Sequence, residues 1–298
     1  MNYLYTSIGE FDTAAKPLLD RPDIDGVQVV VPWAMMEREK DRYDFSAVDE
    51  VLGQVEPLGK KVFIQIQDRF FEPPARLPKY VLTDPEYAGG VAVQTNDNGP
   101  NPGPPGSVAM QWNTNVQQRF QQLLKALAGR FDGRVAGVNL PETAIDIDID
   151  AEQRKSGFTC DAYFNAEMAN MAYAKSVFRT SAVVQYINFW PCDWNNENGY
   201  MERSFAFAKD HGVGVGGPDL VPNNKAHMEN GYRFFHQYRG QLRPVAVAVQ
   251  EPDFDYTNPL TGKPYTKQDF VDFANDYLGA NIIFWATSAP WLHQGGDK

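Results

Sequence analysis

The 298 residues are 43% hydrophobic and 13% aromatic, which supports one large core or two ordinary domains. The formal net charge of -11 argues against nucleic acid and strongly anionic polymers as partners, because phosphate binding needs clustered lysine and arginine. No run of about 18 apolar residues is present, so neither a transmembrane helix nor a membrane partner is expected.

The chain start and the cysteines say little about the compartment. A basic segment followed by an apolar core is missing after Met1, so no signal peptide is expected. A cytoplasmic location and, with a trimmed leader, a secreted or periplasmic one both stay open. Two cysteines, Cys160 and Cys192, exclude a disulfide scaffold. One bridge between them is possible, but two free thiols are the favoured expectation.

Apolar runs and helical periodicity alternate along the chain. Strands are predicted at residues 3–8, 26–31, 61–67, 135–140, 181–188, 212–217, 244–250 and 281–285. Helices are predicted at 13–19, 45–58, 115–128, 162–178, 200–210, 226–238 and 267–278. This alternation implies parallel βαβ units, and eight strands favour closure into an α/β fold of the (β/α)8 type. Since no linker-like boundary is present, one domain is expected over residues 1–298.

Two segments interrupt this pattern. Residues 70–112 are rich in proline and glycine and follow the third strand, so they belong on the carboxyl-terminal face of the barrel. They either form a wall of a cleft or are a flexible insertion without a role. The alternating isoleucines and aspartates at 145–150 predict a short β extension with an acidic face.

Two of the predicted strands deliver a glutamate just beyond their ends, Glu142 after the fourth and Glu251 after the seventh. Because parallel barrel strands all end on one face, both carboxylates could reach one cleft. Two carboxylates in different environments supply the proton donor and the nucleophile that glycoside cleavage needs. The plainer alternatives are a first-turn helix residue for Glu142 and a surface loop residue for Glu251.

The segment from Trp33 to Glu37, with the following Arg42-Tyr43-Asp44-Phe45 and Lys60-Lys61-Val62, resembles clan A retaining glycoside hydrolases. Its form is similar to the family 42-like and cellulase-like members between their second and third strands. The resemblance implies a (β/α)8 barrel whose acid/base glutamate ends strand four and whose nucleophile ends strand seven. In this sequence those positions are Glu142 and Glu251.

The resemblance and the strand ends also predict residues that bind substrate. The clan usually has an asparagine directly before the acid/base glutamate, but Asn139 lies three residues earlier and either still reaches the sugar or loses that contact. The clan often has a tryptophan at strand eight, which corresponds to Trp285. The full set of predicted substrate-binding residues is Trp33, Gln67, Asp68, Asn139, Tyr186, Asn188, Trp190, Asp219 and Trp285. About half of the tryptophans are expected only to pack in the core.

These observations predict a retaining glycoside hydrolase that cleaves a β-linked oligo- or polysaccharide, with carbohydrate as its partner. In a retaining enzyme the two carboxyls lie ~5 Å apart. The alternatives are a non-catalytic glycan-binding barrel and a transglycosylase that uses the same two carboxylates. No metal site or other cofactor is predicted, because the histidines form no metal-binding pattern. The sugar, the linkage and the oligomeric state are not indicated.

Overall fold

The computed structural model describes residues 1–95 and 103–293, in which eight parallel strands close into a barrel. Numbered in chain order, the strands are β1 Asn2–Ser7, β2 Gly26–Pro32, β3 Lys61–Gln67, β4 Gly137–Leu140, β5 Ala182–Tyr186, β6 Gly214–Gly217, β7 Val245–Val249 and β8 Ile282–Ala286. Since β1 pairs with both β2 and β8, the sheet has no open edge. The predicted (β/α)8 fold is confirmed.

Helices connect most of these strands and cover the outside of the barrel. They are Trp33–Met36, Ser46–Val55, Lys79–Thr83, Thr114–Phe131, Ile149–Ser156, Cys160–Val177, Tyr200–His211, Lys225–His227, Arg233–Gln237, Lys267–Asp272 and Pro290–His293. Shorter 3-10 or π turns lie at Ile8–Glu10, Phe11–Ala15, Lys16–Leu18, Glu56–Leu58, Pro85–Tyr87, Met228–Tyr232, Asp253–Asp255 and Phe273–Leu278. In the described part of the chain, we find no helix whose length and apolar character would let it cross a membrane.

The core has two parts, because successive strand residues face opposite sides of the sheet. One set packs between the strands and the surrounding helices. The other fills the barrel interior and consists of Tyr3, Phe63, Val184, Tyr186, Ala246, Ala248, Ile282 and Phe284. Gly216 lacks a side chain where a Cβ would collide with the ring of Tyr186 and a backbone carbonyl of β7. Gly216 of β6 therefore leaves room for the ring of Tyr186 of β5.

The segment after β3 is folded in its described parts, residues 68–95 and 103–113. Its strands Arg69–Phe70, Val91–Gln94 and Gly106–Ala109 form an antiparallel sheet in which the last strand pairs with the other two. Residues 96–102, which hold part of its glycine- and proline-rich stretch, lie outside the described residues.

The predicted β extension at 145–150 is wrong. Asp148 accepts a hydrogen bond from the backbone N–H of Ala151 at 2.9 Å and caps the helix Ile149–Ser156. An aspartate at this position favours a helix start over an extended strand.

The two cysteines form a disulfide, which corrects the expectation of free thiols. Cys160 is the first residue of the helix Cys160–Val177, and Cys192 lies in the loop after β5. The fold brings these two positions together although 32 residues separate them.

Candidate active site

A cavity of about 350 Å³ lies at the carboxyl ends of the barrel strands. Six of the eight strands contribute to its lining: Tyr5 from β1, Gln67 from β3, Glu142 after β4, Tyr186 and Asn188 at β5, Asp219 after β6 and Gln250 after β7. Phe70, Phe71 and Gln94 of the segment after β3 also line it. This face carries the functional residues of characterised barrel enzymes, so the cavity is the candidate active site.

Glu142 lies in this cavity with a half-buried side chain. Burial, followed by the charge of Asp219, raises the pKa of Glu142 to about 7, although Arg69 and Asn188 act in the opposite direction. Asn188 donates a hydrogen bond from Nδ2 to Oε2 of Glu142 at 3.4 Å. A carboxyl group with this pKa is able to carry a proton near neutral pH and to donate it.

A buried cluster around Arg69 holds the backbone at Glu142. Arg69 donates from Nη1 to the Glu142 carbonyl at 2.6 Å and to the Tyr163 hydroxyl at 2.9 Å. Its other nitrogens pair with Asp68 at 2.7 Å and with Glu167 at 3.4 Å. All three charged side chains are buried. Burial raises the pKa of Glu167 to about 7.

Asp68 therefore has a different role from the predicted one. Its side chain is fully buried, pairs with Arg69 and accepts a hydrogen bond from Gln111 at 2.9 Å. A carboxylate without exposed surface does not reach a sugar hydroxyl in this conformation, so Asp68 supports Arg69.

Asp219 is a second carboxylate in the same cavity. It follows β6 in the left-handed backbone region, with φ at 57°. Burial raises its pKa. Tyr5 lines the same cavity, and burial, followed by the charges of Asp219 and Glu142, raises its pKa to about 12. Glu142, Asp219 and Tyr5 thus share the cavity at the barrel mouth.

Glu251 is placed differently from the expectation. It follows Gln250, which lines the cavity, but the Glu251 side chain is exposed and is not among the described lining residues. The other carboxylates that line the cavity with Glu142 are Asp146, in the loop after β4, and Asp219, after β6. The assignment of Glu251 as nucleophile stays a prediction.

Three tryptophans predicted to bind substrate are core residues. Trp33, Trp190 and Trp285 are each no more than 1% exposed. Each indole N–H has a partner inside the protein: Glu37 for Trp33, Ser204 for Trp190 and Asn2 for Trp285. The prediction that these rings contact sugar is contradicted by their burial.

The position of Trp285 follows from strand alternation. Its neighbour Phe284 belongs to the barrel interior, so Trp285 faces the helices and packs against Trp291. The prediction that Asn139 binds substrate is wrong for a related reason. Asn139 is fully buried, lies beside Gln65 of β3 and Val184 of β5, and is not among the described lining residues of the cavity.

Gln67, Tyr186, Asn188 and Asp219 do line the cavity, at the strand ends where they were predicted. Tyr5, Arg69 and Gln250 were missed, although Tyr5 lies within the first predicted strand and Gln250 at the end of the seventh. Across residues 1–95 and 103–293, no three histidine, cysteine, aspartate or glutamate side chains are grouped to hold a metal ion.

The closed parallel barrel is also the fold of several solved glycoside hydrolases, to which the chain is similar in structure. No family model and no curated protein matches the chain.

Among solved structures, the β-galactosidase of the psychrophilic Marinomonas ef1 has a TM-score of 0.61 at 9% identity, over 95% of this chain and 53% of that one. The polyextremophilic β-galactosidase of the Antarctic haloarchaeon Halorubrum lacusprofundi has a TM-score of 0.61 at 11% identity, over 95% and 52%. Xylanase 10B of Thermotoga maritima has a TM-score of 0.57 at 12% identity, over 96% and 82%. The chain spans about half the length of the two β-galactosidases. These neighbours are glycoside hydrolases, and at these identities the likeness shows the fold.

Proposed function

We propose that the protein is a glycoside hydrolase that cleaves a β-linked oligo- or polysaccharide, with Glu142 as the proton donor. The observation that carries the proposal is the position of Glu142 in a cavity at the carboxyl ends of the strands, where burial raises its pKa to about 7. Hydroxyl and amide groups of Tyr5, Gln67 and Asn188 surround this acid and suit the hydroxyls of a sugar.

In the proposed reaction, a carboxylate oxygen attacks the anomeric carbon while the glycosidic C–O bond breaks and the Glu142 proton moves to the leaving oxygen. Water then attacks the same carbon, returns a proton to Glu142 and frees the carboxylate. The configuration is retained after two displacements, and the two carboxyls should act from ~5 Å apart.

The nucleophile in this proposal is Glu251, from the end of strand seven. Asp219 is the alternative candidate for the same role. Asp219 lines the cavity and its negative charge contributes to the raised pKa of Glu142. Such a pair titrates in two steps, so one carboxylate is ionised while the other still holds a proton. If Glu251 is the nucleophile, its exposed side chain must turn toward the substrate.

The test compares E142A, E251A and D219A on aryl β-glycosides and on β-linked xylan, glucan and galactan. Loss of the acid should lower kcat by about 10²- to 10⁴-fold on the polysaccharides, with a smaller loss for leaving groups that need no proton. Added azide should restore E142A and yield a glycosyl azide of retained configuration. The variant that lacks the nucleophile should instead form the inverted azide.

The exposure of Glu251 favours one second candidate, a non-catalytic glycan-binding barrel. That function predicts glycan binding by the unmodified protein without any cleavage. A transglycosylase would use the same carboxylates, and product analysis would show chains longer than the substrate. Full activity of E142A on every cleaved polysaccharide would remove the proposed role of Glu142.

A further inference from the structure

A second cavity of about 250 Å³ adjoins the candidate active site. The two cavities share Asn188, Phe189, Pro218 and Asp219 in their linings. Asn188 is also the residue that hydrogen-bonds Glu142. A linear molecule with one unit beside Glu142 would therefore continue past Asn188 and Asp219 into the second cavity.

One wall of this cavity is aromatic. Trp194 is 51% exposed, whereas the other tryptophans of the chain are buried or half-buried. Its ring centroid lies 5.3 Å from that of Phe189, at an interplanar angle of 63°. An exposed aromatic face presents the apolar surface on which the C–H face of a sugar ring packs.

The loop that carries Trp194 is held in place from several directions. The disulfide joins Cys192 to Cys160 at the start of a long helix. The buried carboxylate of Asp193 accepts hydrogen bonds from the backbone N–H groups of Asn198 at 2.7 Å and Tyr200 at 2.8 Å. A loop fixed in this way loses little backbone freedom when a ligand binds, which favours affinity.

The lining of the same cavity also includes two polar side chains, His227 and Asn230. His227 Nδ1 lies 3.0 Å from the hydroxyl of Tyr232, which also bonds the Asp219 carbonyl at 3.2 Å. Burial lowers the pKa of His227, so the imidazole is neutral near pH 7. A neutral imidazole and an amide are suitable partners for hydroxyl groups.

We infer that the second cavity binds an additional sugar ring of the substrate, which packs on Trp194 and hydrogen-bonds His227 and Asn230. This inference rests on the proposed function and extends it: the preferred substrate is an oligosaccharide that reaches beyond the ring at Glu142. Trp194 then determines preference for chain length.

The experiment measures binding and hydrolysis of β-1,4-linked xylo-, gluco- and galacto-oligosaccharide ladders, from the monosaccharide upward. Calorimetry on the E142Q background gives Kd without turnover, and kcat/KM is measured on the parent protein. W194A should weaken binding of the oligosaccharides by about ten-fold more than binding of the monosaccharide, which corresponds to ~1.4 kcal/mol. W194F, which keeps an aromatic face, should recover most of that difference.

Two controls make the result specific. Tyr256 is an exposed aromatic residue outside the lining of both cavities, so Y256A should leave the length preference unchanged. Thermal melting of W194A checks that the fold persists.

The outcomes separate this inference from the proposed function. An equal effect of W194A at every chain length, with hydrolysis intact, overturns the second ring site and leaves the hydrolase. Length-dependent binding that needs Trp194, without hydrolysis by the parent, keeps the ring site and overturns the hydrolase. If no member of the ladders binds or is cleaved, both are overturned for these glycans.

Discussion

Arg69 donates a 2.6 Å hydrogen bond to the backbone carbonyl of Glu142, and so links the candidate acid to a buried ion cluster. The contact is to the main chain, so it holds the backbone at Glu142. Arg69 does not bond the carboxyl group, which lies in the cavity. Asp68 and Glu167 in turn hold the guanidinium. The geometry makes Arg69 a positioning residue for Glu142.

Substitution R69M should reduce stability and also alter the titration of Glu142. Removing one member of a buried charge cluster costs about 3–5 kcal/mol, because the remaining carboxylates lose their partner. The positive charge of Arg69 lowers the pKa of Glu142, so its loss should raise that pKa further. Urea unfolding measures the first effect, and the alkaline limb of the kcat/KM profile, shifted to higher pH, measures the second. R69K keeps the charge and should preserve the limb. The same limb in R69M and the parent would contradict the effect of the Arg69 charge on the pKa of Glu142.

Two neighbours of Glu142 should move its pKa in opposite directions. D219N removes a negative charge that raises the pKa, so Glu142 should titrate at lower pH than about 7. N188A removes a hydrogen bond that lowers the pKa, so Glu142 should titrate at higher pH. Carbon-13 NMR of labelled glutamate measures both without requiring activity, and E142Q identifies the signal. Shifts of the same sign in both variants would contradict this electrostatic picture.

Stability should fall as the pH rises from about 4.5 to about 7, partly through Glu167. Its pKa is raised from 4.5 to about 7, so the folded state binds a proton that the unfolded state has already lost in this range. The contribution is complete below pH 4.5 and is lost as the pH rises through about 7. E167Q, which does not titrate, should flatten this decline in the free energy of unfolding measured by urea at intervals across the range. If the free energy of unfolding of E167Q declines equally steeply with pH, the decline is due to other groups.

Tryptophan substitutions should reduce the free energy of unfolding far more at a buried ring than at the exposed ring of Trp194. W285A removes a fully buried side chain, and such truncations cost about 3–5 kcal/mol. W194A removes a ring that is 51% exposed, so its effect on the free energy of unfolding should be within about 1 kcal/mol. Chemical denaturation of both variants provides the comparison. Similar losses in the two would show that Trp194 is also a packing residue.

The disulfide should contribute about 3–4 kcal/mol to stability, because it closes a loop of 32 residues in the unfolded chain. The double variant C160A/C192A, compared with the parent under oxidising conditions, measures the contribution by urea unfolding. The parent treated with a thiol reductant is the matched control, and it should approach the double variant. Unchanged stability after complete reduction would contradict the estimate.

The sequence predicts the barrel well because its parallel strands are continuous apolar runs separated by helical periodicity. Because these runs are apolar throughout, they do not indicate which face of the sheet each residue occupies. In Ile282–Ala286 every residue is buried, so alternation of polar and apolar residues does not reveal that Trp285 faces the helices. Tyr186 and Asn188 were predicted from their place at the end of strand five, and both line the cavity.

Residues beyond the strand ends were harder to place. The ladder of β7 ends at Val249, so Glu251 no longer follows the alternation of the strand, and its side chain is exposed. Arg69 was missed because its partners, including Tyr163 and Glu167, come from a helix about a hundred residues later. Such contacts depend on tertiary packing, which local patterns do not encode.

The antiparallel sheet after β3 has a consequence for shortening this protein. Arg69 belongs to its first strand and pairs with Val108, and the N–H of Ala109 bonds the carbonyl of Asp68 at 3.1 Å. The proline- and glycine-rich segment looks dispensable by composition, yet its returning strand Gly106–Ala109 holds the backbone of Asp68 and Arg69, and Arg69 bonds the backbone of Glu142. Deleting the whole segment would therefore remove the support of Glu142 as well as a wall of the cavity.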